Sequence, residues 1–269
     1  MAAGDVILDV RSVSQKLGGN QILRDCSFKV LDRVRPGQVT GQIAGLLGPS
    51  GVGKTRLLRL IAGLDAPDAG AVVDGQGKPI RPGSVGVVFQ NYPLIRHRTV
   101  LDNLVAAADM SGIERAAGVS RARELLERFD LTSRARVYPV QLSGGQRQRV
   151  AIAQQLMRQP MALLMDEPFS GLDPAALDAV MTLLVEVANM HELNTIVLVT
   201  HDIRAAMVVS DTLLLLGRDR TPEGSPVPGA YIQVSYDMVE RGLCWRPDVE
   251  RDPAFPVLER ELRDRFKTL

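Results

Sequence analysis

The 269-residue chain carries 32 basic and 31 acidic residues, a formal net charge of +1, so bulk electrostatics gives no push toward nucleic acid or acidic membranes. Apolar residues make up 45% and charged residues 23%, an ordinary globular composition with length enough for a substantial core in one large domain or two modest ones. Cys26 and Cys244 lack metal-type spacing and are expected as free thiols in a reducing cytosol. Met1 to Val10 has no basic flank with an apolar core, so no signal peptide is expected, and no apolar run reaches membrane-spanning length.

In chain order, Val6 to Val13 and Cys26 to Leu31 favour strands around a Gly18-Gly19-Asn20 turn, which predicts an antiparallel N-terminal β flap. Val39 to Leu47 is a short apolar, partly β-branched run, and a helix is expected from Lys54 to about Ala62. Between them Gly48-Pro49-Ser50-Gly51-Val52-Gly53-Lys54-Thr55 fits the P-loop pattern. Gly51 and Gly53 leave room for successive backbone N–H groups to close around a phosphate, and the following helix aims its positive dipole end at the same anion. Lys54 adds a mobile cation for the β- and γ-phosphates, and the Thr55 hydroxyl is a ligand for Mg²⁺. The chain is thus expected to bind a nucleoside triphosphate with magnesium.

Gly63 to Gly75 reads as a loop with a hairpin around Val72-Val73, and Val85 to Phe89 as a buried strand ending at Gln90. Residues Asn91 to Leu142 then read as an inserted helical lobe, with helices at Val100 to Met110 and Ser120 to Phe129, and the next helix runs from about Gly145 to Arg158. Strand character returns at Ala162 to Asp166, followed by a helix from Pro174 to about Glu192, a strand at Thr195 to Thr200, a helix at Ile203 to Val209 and a strand at Thr212 to Leu216. Strands alternating with helices around a P-loop predict an α/β fold with a mainly parallel sheet. Beyond Gly217 six prolines, from Pro222 to Pro256, interrupt the pattern, and 218–256 reads as linker or surface wrap with only Val257 to Phe266 helical. The expected organisation is a core of 1–90 and 143–217, a helical lobe of 91–142 and a tail of 218–269.

Two further constellations carry chemistry. The run Ala162-Leu163-Leu164-Met165 ends in Asp166-Glu167, which places two carboxylates at the carboxyl end of a buried strand, where α/β proteins bind ligands. Asp166 suits Mg²⁺, and Glu167 suits orienting or polarising a water, although a lone Asp-Glu pair is commonly just the place where a strand meets the surface. Leu142-Ser143-Gly144-Gly145-Gln146-Arg147-Gln148-Arg149 opens a helix with a hydroxyl and exposed N–H groups, and alone reads equally as a capped helix with a glycine-rich lead.

With the P-loop, this run resembles the signature of the ATP-binding-cassette ATPases, over roughly Val6 to Leu216, with the motifs in the family's order. The resemblance implies roles. Gly48 to Thr55 bind the nucleotide, and Thr55, Asp166 and Gln90 serve the metal. Glu167, His201 and Gln90 serve hydrolysis. Ser143, Gly144, Gly145 and Gln146 contact ATP held by a second copy, and Ser170-Gly171-Leu172-Asp173 crosses that dimer interface. Leu17 stands where family members usually place an adenine-stacking aromatic. Two other departures are a stretch from Pro36 to Gly48 longer than the family pattern, and Gln154-Gln155 where alanine and arginine are common.

Three function classes follow. A phosphotransferase acting on a small acceptor would lack the signature and the switch histidine. A soluble cassette ATPase working on nucleic acid or ribosomes would show two cassettes or a coiled-coil insertion, for which Thr55 to Leu142 leaves no room. The resemblance is greatest to the energising subunit of a bacterial importer, of the kind serving polar amino acids or nitrate, sulfonate and taurine-like solutes. It implies ATP and Mg²⁺ as cofactors, a head-to-tail dimer around two ATP molecules, and separate permease subunits. It further implies a solute-binding protein reached through the permease, no nucleic acid partner, and a place on the cytoplasmic face of the plasma membrane. Asn91 to Asn103, with Arg96-His97-Arg98, is where such subunits receive a coupling helix.

Overall fold

The computed structural model describes residues 4–33, 41–190, 195–244, 246 and 248–269. Strands β1 (Val6–Leu17), β2 (Asn20–Leu31) and β3 (Gln42–Leu47) lead to helix α1 (Lys54–Ile61), β4 (Ala69–Asp74) and β5 (Gly86–Val88). Helices α2 (Val100–Met110), α3 (Arg115–Arg128) and α4 (Gly144–Leu156) follow. Then come β6 (Leu163–Asp166), α5 (Pro174–Asn189), β7 (Thr195–Thr200), α6 (Ile203–Val209), β8 (Thr212–Gly217), β9 (Tyr231–Asp237) and α7 (Ala254–Thr268). Val39 and Glu192, the expected limits of one strand and one helix, lie outside the described residues, as does part of the Pro36 to Gly48 stretch.

A six-stranded sheet runs in the order β5-β6-β7-β3-β8-β9, and only its last pair, β8 with β9, is antiparallel. Every residue of β3, β6 and β7 is buried, as expected for strands covered on both faces. The pleat sorts them. Ile43, Leu47, Ile196 and Leu198 face the core shared with α2 to α7, while Ala44, Leu46, Val197 and Val199 face the core shared with α1 and the flap. The flap is a three-stranded antiparallel sheet ordered β2-β1-β4. The hairpin expected at Val72-Val73 is present as a bridge from Val73 to Pro79, and its first strand also pairs with β1. Cys26 and Cys244 are both buried as unbridged thiols.

Two segments differ from expectation. Helix α3 begins at Arg115 rather than Ser120, because the Glu114 carboxylate accepts hydrogen bonds from the Ala116 and Ala117 N–H groups and caps it. Gly118 inside this helix had weakened its sequence signal.

The larger correction concerns 218–256, which is not linker. Its Tyr231–Asp237 stretch is β9, the edge strand of the main sheet, and Ala230 also bonds to the flap, accepting from Arg24 N–H at 2.9 Å and donating to Ile22 at 2.9 Å. Beyond it Phe255, Leu258 and Leu262 of α7 are buried in the core that α6 shares. None of the described prolines lies in the strand: Pro222 sits in a turn, Pro226 bridges to Arg220, Pro228 lies in a bend, and Pro253 and Pro256 sit at the start of α7, so the punctuated texture hid it. Among the described residues no helix is long and apolar enough to cross a membrane.

Candidate nucleotide site

The site sits at the carboxyl ends of β3, β6 and β7. Where β3 ends, Gly48 packs so tightly that a Cβ there would lie 2.6 Å from the Leu216 carbonyl oxygen of β8, so the entry to the loop admits only glycine. Val52 is buried in the flap-side core and pins the loop from below. Gly53 has φ +122°, a conformation open to glycine, and it hands the chain directly to α1. No acidic residue occupies the first turn of α1, which leaves its N–H groups and dipole free of a competing charge.

Lys54, only 6% exposed, donates to the carbonyl oxygens of Gly48 at 2.9 Å and Pro49 at 3.2 Å, and its Nζ lies 3.2 Å from Glu167 Oε1. The other Glu167 oxygen lies 2.9 Å from His201 Nδ1 and accepts from the His201 backbone N–H at 3.3 Å. The Thr55 hydroxyl donates to Asp166 Oδ1 at 3.2 Å. Five residues spread over 54–201 thus meet at one point. Burial pushes the Asp166 carboxyl above the usual aspartate range, the Thr55 hydrogen bond and the Lys54 charge pull it back, and the neighbouring Glu167 charge adds to the rise. A hydroxyl and a desolvated carboxylate in contact are hard oxygen donors of the sort magnesium takes, and a dication would offset the burial of that charge. The residues present therefore fit the metal.

Glu167 adopts φ +49°, uncommon for a residue with a side chain, and its N–H donates to the Val199 carbonyl at 2.8 Å. Gln90, at the end of β5, donates through Nε2 to Ser170 Oγ at 3.1 Å, so its amide joins the loop that follows Glu167. Asp173 caps α5, accepting from the Ala176 N–H at 3.0 Å.

Ser143 and Gln146 form a reciprocal capping box at the start of α4. Gly144 and Gly145 stand exposed in open space, where an added Cβ would meet nothing within 4 Å. None of the hydrogen bonds described for Ser143 or Gln146 reaches the Lys54 cluster. Leu17, 48% exposed, ends β1 opposite Asn20.

Arg218, and the contacts of Gln148, Gln154 and Gln155, were not foreseen from the sequence. Arg218, just past β8, donates through Nη2 to the Gly51 carbonyl at 3.3 Å. Gln155 accepts from the Val87 N–H at 3.3 Å on the outer edge of β5, and Gln154 donates to the Asn103 carbonyl at 3.4 Å, so this pair fastens α4 to the sheet edge and to α2. Gln148 is wholly buried on α4, and a glutamine within that helix's apolar face was the available signal.

The family profile described as ABC transporter matches residues 31–170. The sulfate/thiosulfate import ATP-binding protein CysA of Pseudomonas aeruginosa is 40% identical over 230 residues, covering 81% of this chain and 67% of that protein. Its counterpart in Synechococcus elongatus is 38% identical over 224 residues, again 81% of this chain, and the chain spans 62% of that relative's length. Among solved structures, cbiO1 from Clostridium perfringens, part of the ABC transporter complex cbiONQ, superposes with a TM-score of 0.74 at 24% identity, covering 96% of this chain and 99% of that one. At that identity the superposition speaks for the fold.

Proposed function

The chain belongs to the ABC transporter family, and from that premise we propose that it is an ATP-hydrolysing subunit that powers import through separate membrane permeases. The observation that carries the reading is the convergence of Lys54, Glu167 and His201, which lie far apart in sequence, at 3.2 Å and 2.9 Å. Gly48 to Thr55 cradle the triphosphate, with Lys54 on its β- and γ-phosphates. Thr55 and Asp166 hold magnesium, with the Gln90 carbonyl oxygen as a further donor; bound there, the ion neutralises charge on the phosphates. Glu167 orients the attacking water and takes its proton as the bond from the γ-phosphorus to ADP breaks. His201 fixes the free oxygen of that carboxylate and faces the γ-phosphate. Leu17 gives the adenine an apolar contact without stacking.

Ser143, Gly144, Gly145 and Gln146 serve the nucleotide of a second copy, with Asp173 at the shared interface, so the working unit is a head-to-tail dimer around two ATP molecules. Loss of the γ-phosphate opens the pair, and residues 91–142, attached at Gln90, pass that motion to the permease. The subunit sits at the cytoplasmic face of the membrane and meets a solute-binding protein only through the permease. Relatives named for sulfate and thiosulfate make those oxyanions the first solutes to assay.

The test is affinity capture of the tagged Glu167→Gln protein with ATP and magnesium from detergent-solubilised native membranes. A multi-span partner identified by mass spectrometry supports the importer reading. Recovery only from the soluble fraction moves the assignment to a soluble cassette ATPase.

A further inference from the structure

Gln148 occupies the fifth position of α4, the helix that opens at the signature, and is 1% exposed. Its Nε2 donates to the Pro168 carbonyl at 3.3 Å, and its Oε1 is buried without a hydrogen-bond partner among the described residues. Methionine or leucine would fill the same volume without the unpaired oxygen, so packing alone does not account for an amide here. The carbonyl it grips is the informative partner. Pro168 follows Glu167, whose φ of +49° is left-handed, and a proline further restricts the backbone of the residue before it. Such a backbone persists only where its surroundings hold it. On one side the Glu167 N–H donates to Val199 at 2.8 Å. On the other, Pro168 has no N–H to offer, so its carbonyl is the available handle, and Gln148 holds it.

We propose that Gln148 is a positioning residue for hydrolysis, tying the signature helix to the strained backbone that aims Glu167 at Lys54 and His201. The proposal rests on the reading of Glu167 as the hydrolytic carboxylate. Because the other end of the bond belongs to the helix that starts at Ser143, a shift of that helix is felt at the carboxylate.

The experiment compares the parent protein with Gln148→Met and Gln148→Leu, both near the glutamine in volume, measuring kcat, equilibrium ATP-magnesium affinity and the thermal midpoint. The expected result is a kcat lower by about tenfold or more in both variants, with ATP affinity within about twofold of the parent and no loss of thermal stability. A kcat within about twofold of the parent in either folded variant overturns the proposal. So does a parallel fall of kcat, affinity and thermal midpoint, which marks packing alone. Lys54→Ala, measured beside them, reports on the underlying reading: if it binds ATP as the parent does, the nucleotide site itself is misassigned, whatever Gln148 does.

Discussion

Lys54 Nζ lies 3.2 Å from Glu167 Oε1, in a pair whose side chains are 6% and 15% exposed. The ammonium proposed to meet the phosphates is thus already engaged with the carboxylate proposed to work on the attacking water, so a γ-phosphate drawing on Lys54 would change what holds Glu167. Replacing Lys54 by alanine removes a charge-assisted contact to the nucleotide and leaves Glu167 beside Asp166 without its cation. ATP affinity is expected to fall by about a hundredfold, roughly 2.7 kcal/mol, by calorimetric titration. Unchanged affinity would falsify the P-loop assignment.

Glu167→Gln keeps the shape of the side chain and removes the proposed base. Steady-state hydrolysis should drop by about two to three orders of magnitude while ATP still binds. Light scattering with ATP should then show a persistent dimer. Wild-type turnover in this variant would take Glu167 out of the chemistry.

Asp166 gives a prediction with two signs. Its folded carboxyl titrates above the ordinary aspartate range because it is desolvated. Ionisation is therefore easier in the unfolded chain, and the stability associated with the neutral buried form is present at low pH and lost as pH rises through the folded pKa. Asp166→Asn removes that neutral-pH penalty, and its thermal midpoint at pH 7 should rise by about 2 °C. The same change removes the proposed anionic ligand, so magnesium-dependent hydrolysis should collapse. In the parent, ATP-magnesium affinity should begin to weaken on acidification at a higher pH than an ordinary aspartate would set. A mutant that is less stable and still active contradicts both halves.

Ser143 is a helix cap and the proposed contact to a second copy's nucleotide, and the two roles separate experimentally. Ser143→Ala should destabilise by about 1 kcal/mol in denaturant titration through loss of the cap. Its affinity for ATP as a monomer should stay at the parent value, and ATP-dependent dimerisation should be lost. Dimerisation at the parent level would leave only the cap.

A chain cut after Gly217 should not fold. It would bare the β8 edge and remove Tyr236, Met238, Phe255, Leu258 and Leu262 from the larger core. Size-exclusion chromatography of the truncated protein should show aggregate, and a monodisperse species would return 218–269 to the status of an appendage.

The loop proposed to hold the phosphates was legible because its chemistry is local. Gly48 to Thr55 must be contiguous to wrap an anion, and the buried runs Leu163 to Asp166 and Thr195 to Thr200 announce parallel strands by unbroken apolarity. What the residues could not show was convergence. That Glu167 would touch both Lys54 and His201 depends on β7 lying between β6 and β3 in the sheet. Strand β9 was hidden for another reason. At the sheet edge it is only half-buried over most of its length, so alternation is weak, and the prolines around it dominate the window. Gln148 was visible as a polar residue on an apolar face, but its partner Pro168 lies on another element.

The bonds that join Ala230 to Ile22 and Arg24 reach across most of the chain. On the ribosome the first fifty residues emerge long before their last partner exists. The flap and the edge of the main sheet therefore stay incomplete until β9 has left the exit tunnel, and closure of so distant a contact is slow. A nascent chain stalled before Tyr231 should be protease-sensitive in β2 and β8 alike, and the fold is to that extent closed only when β9 arrives.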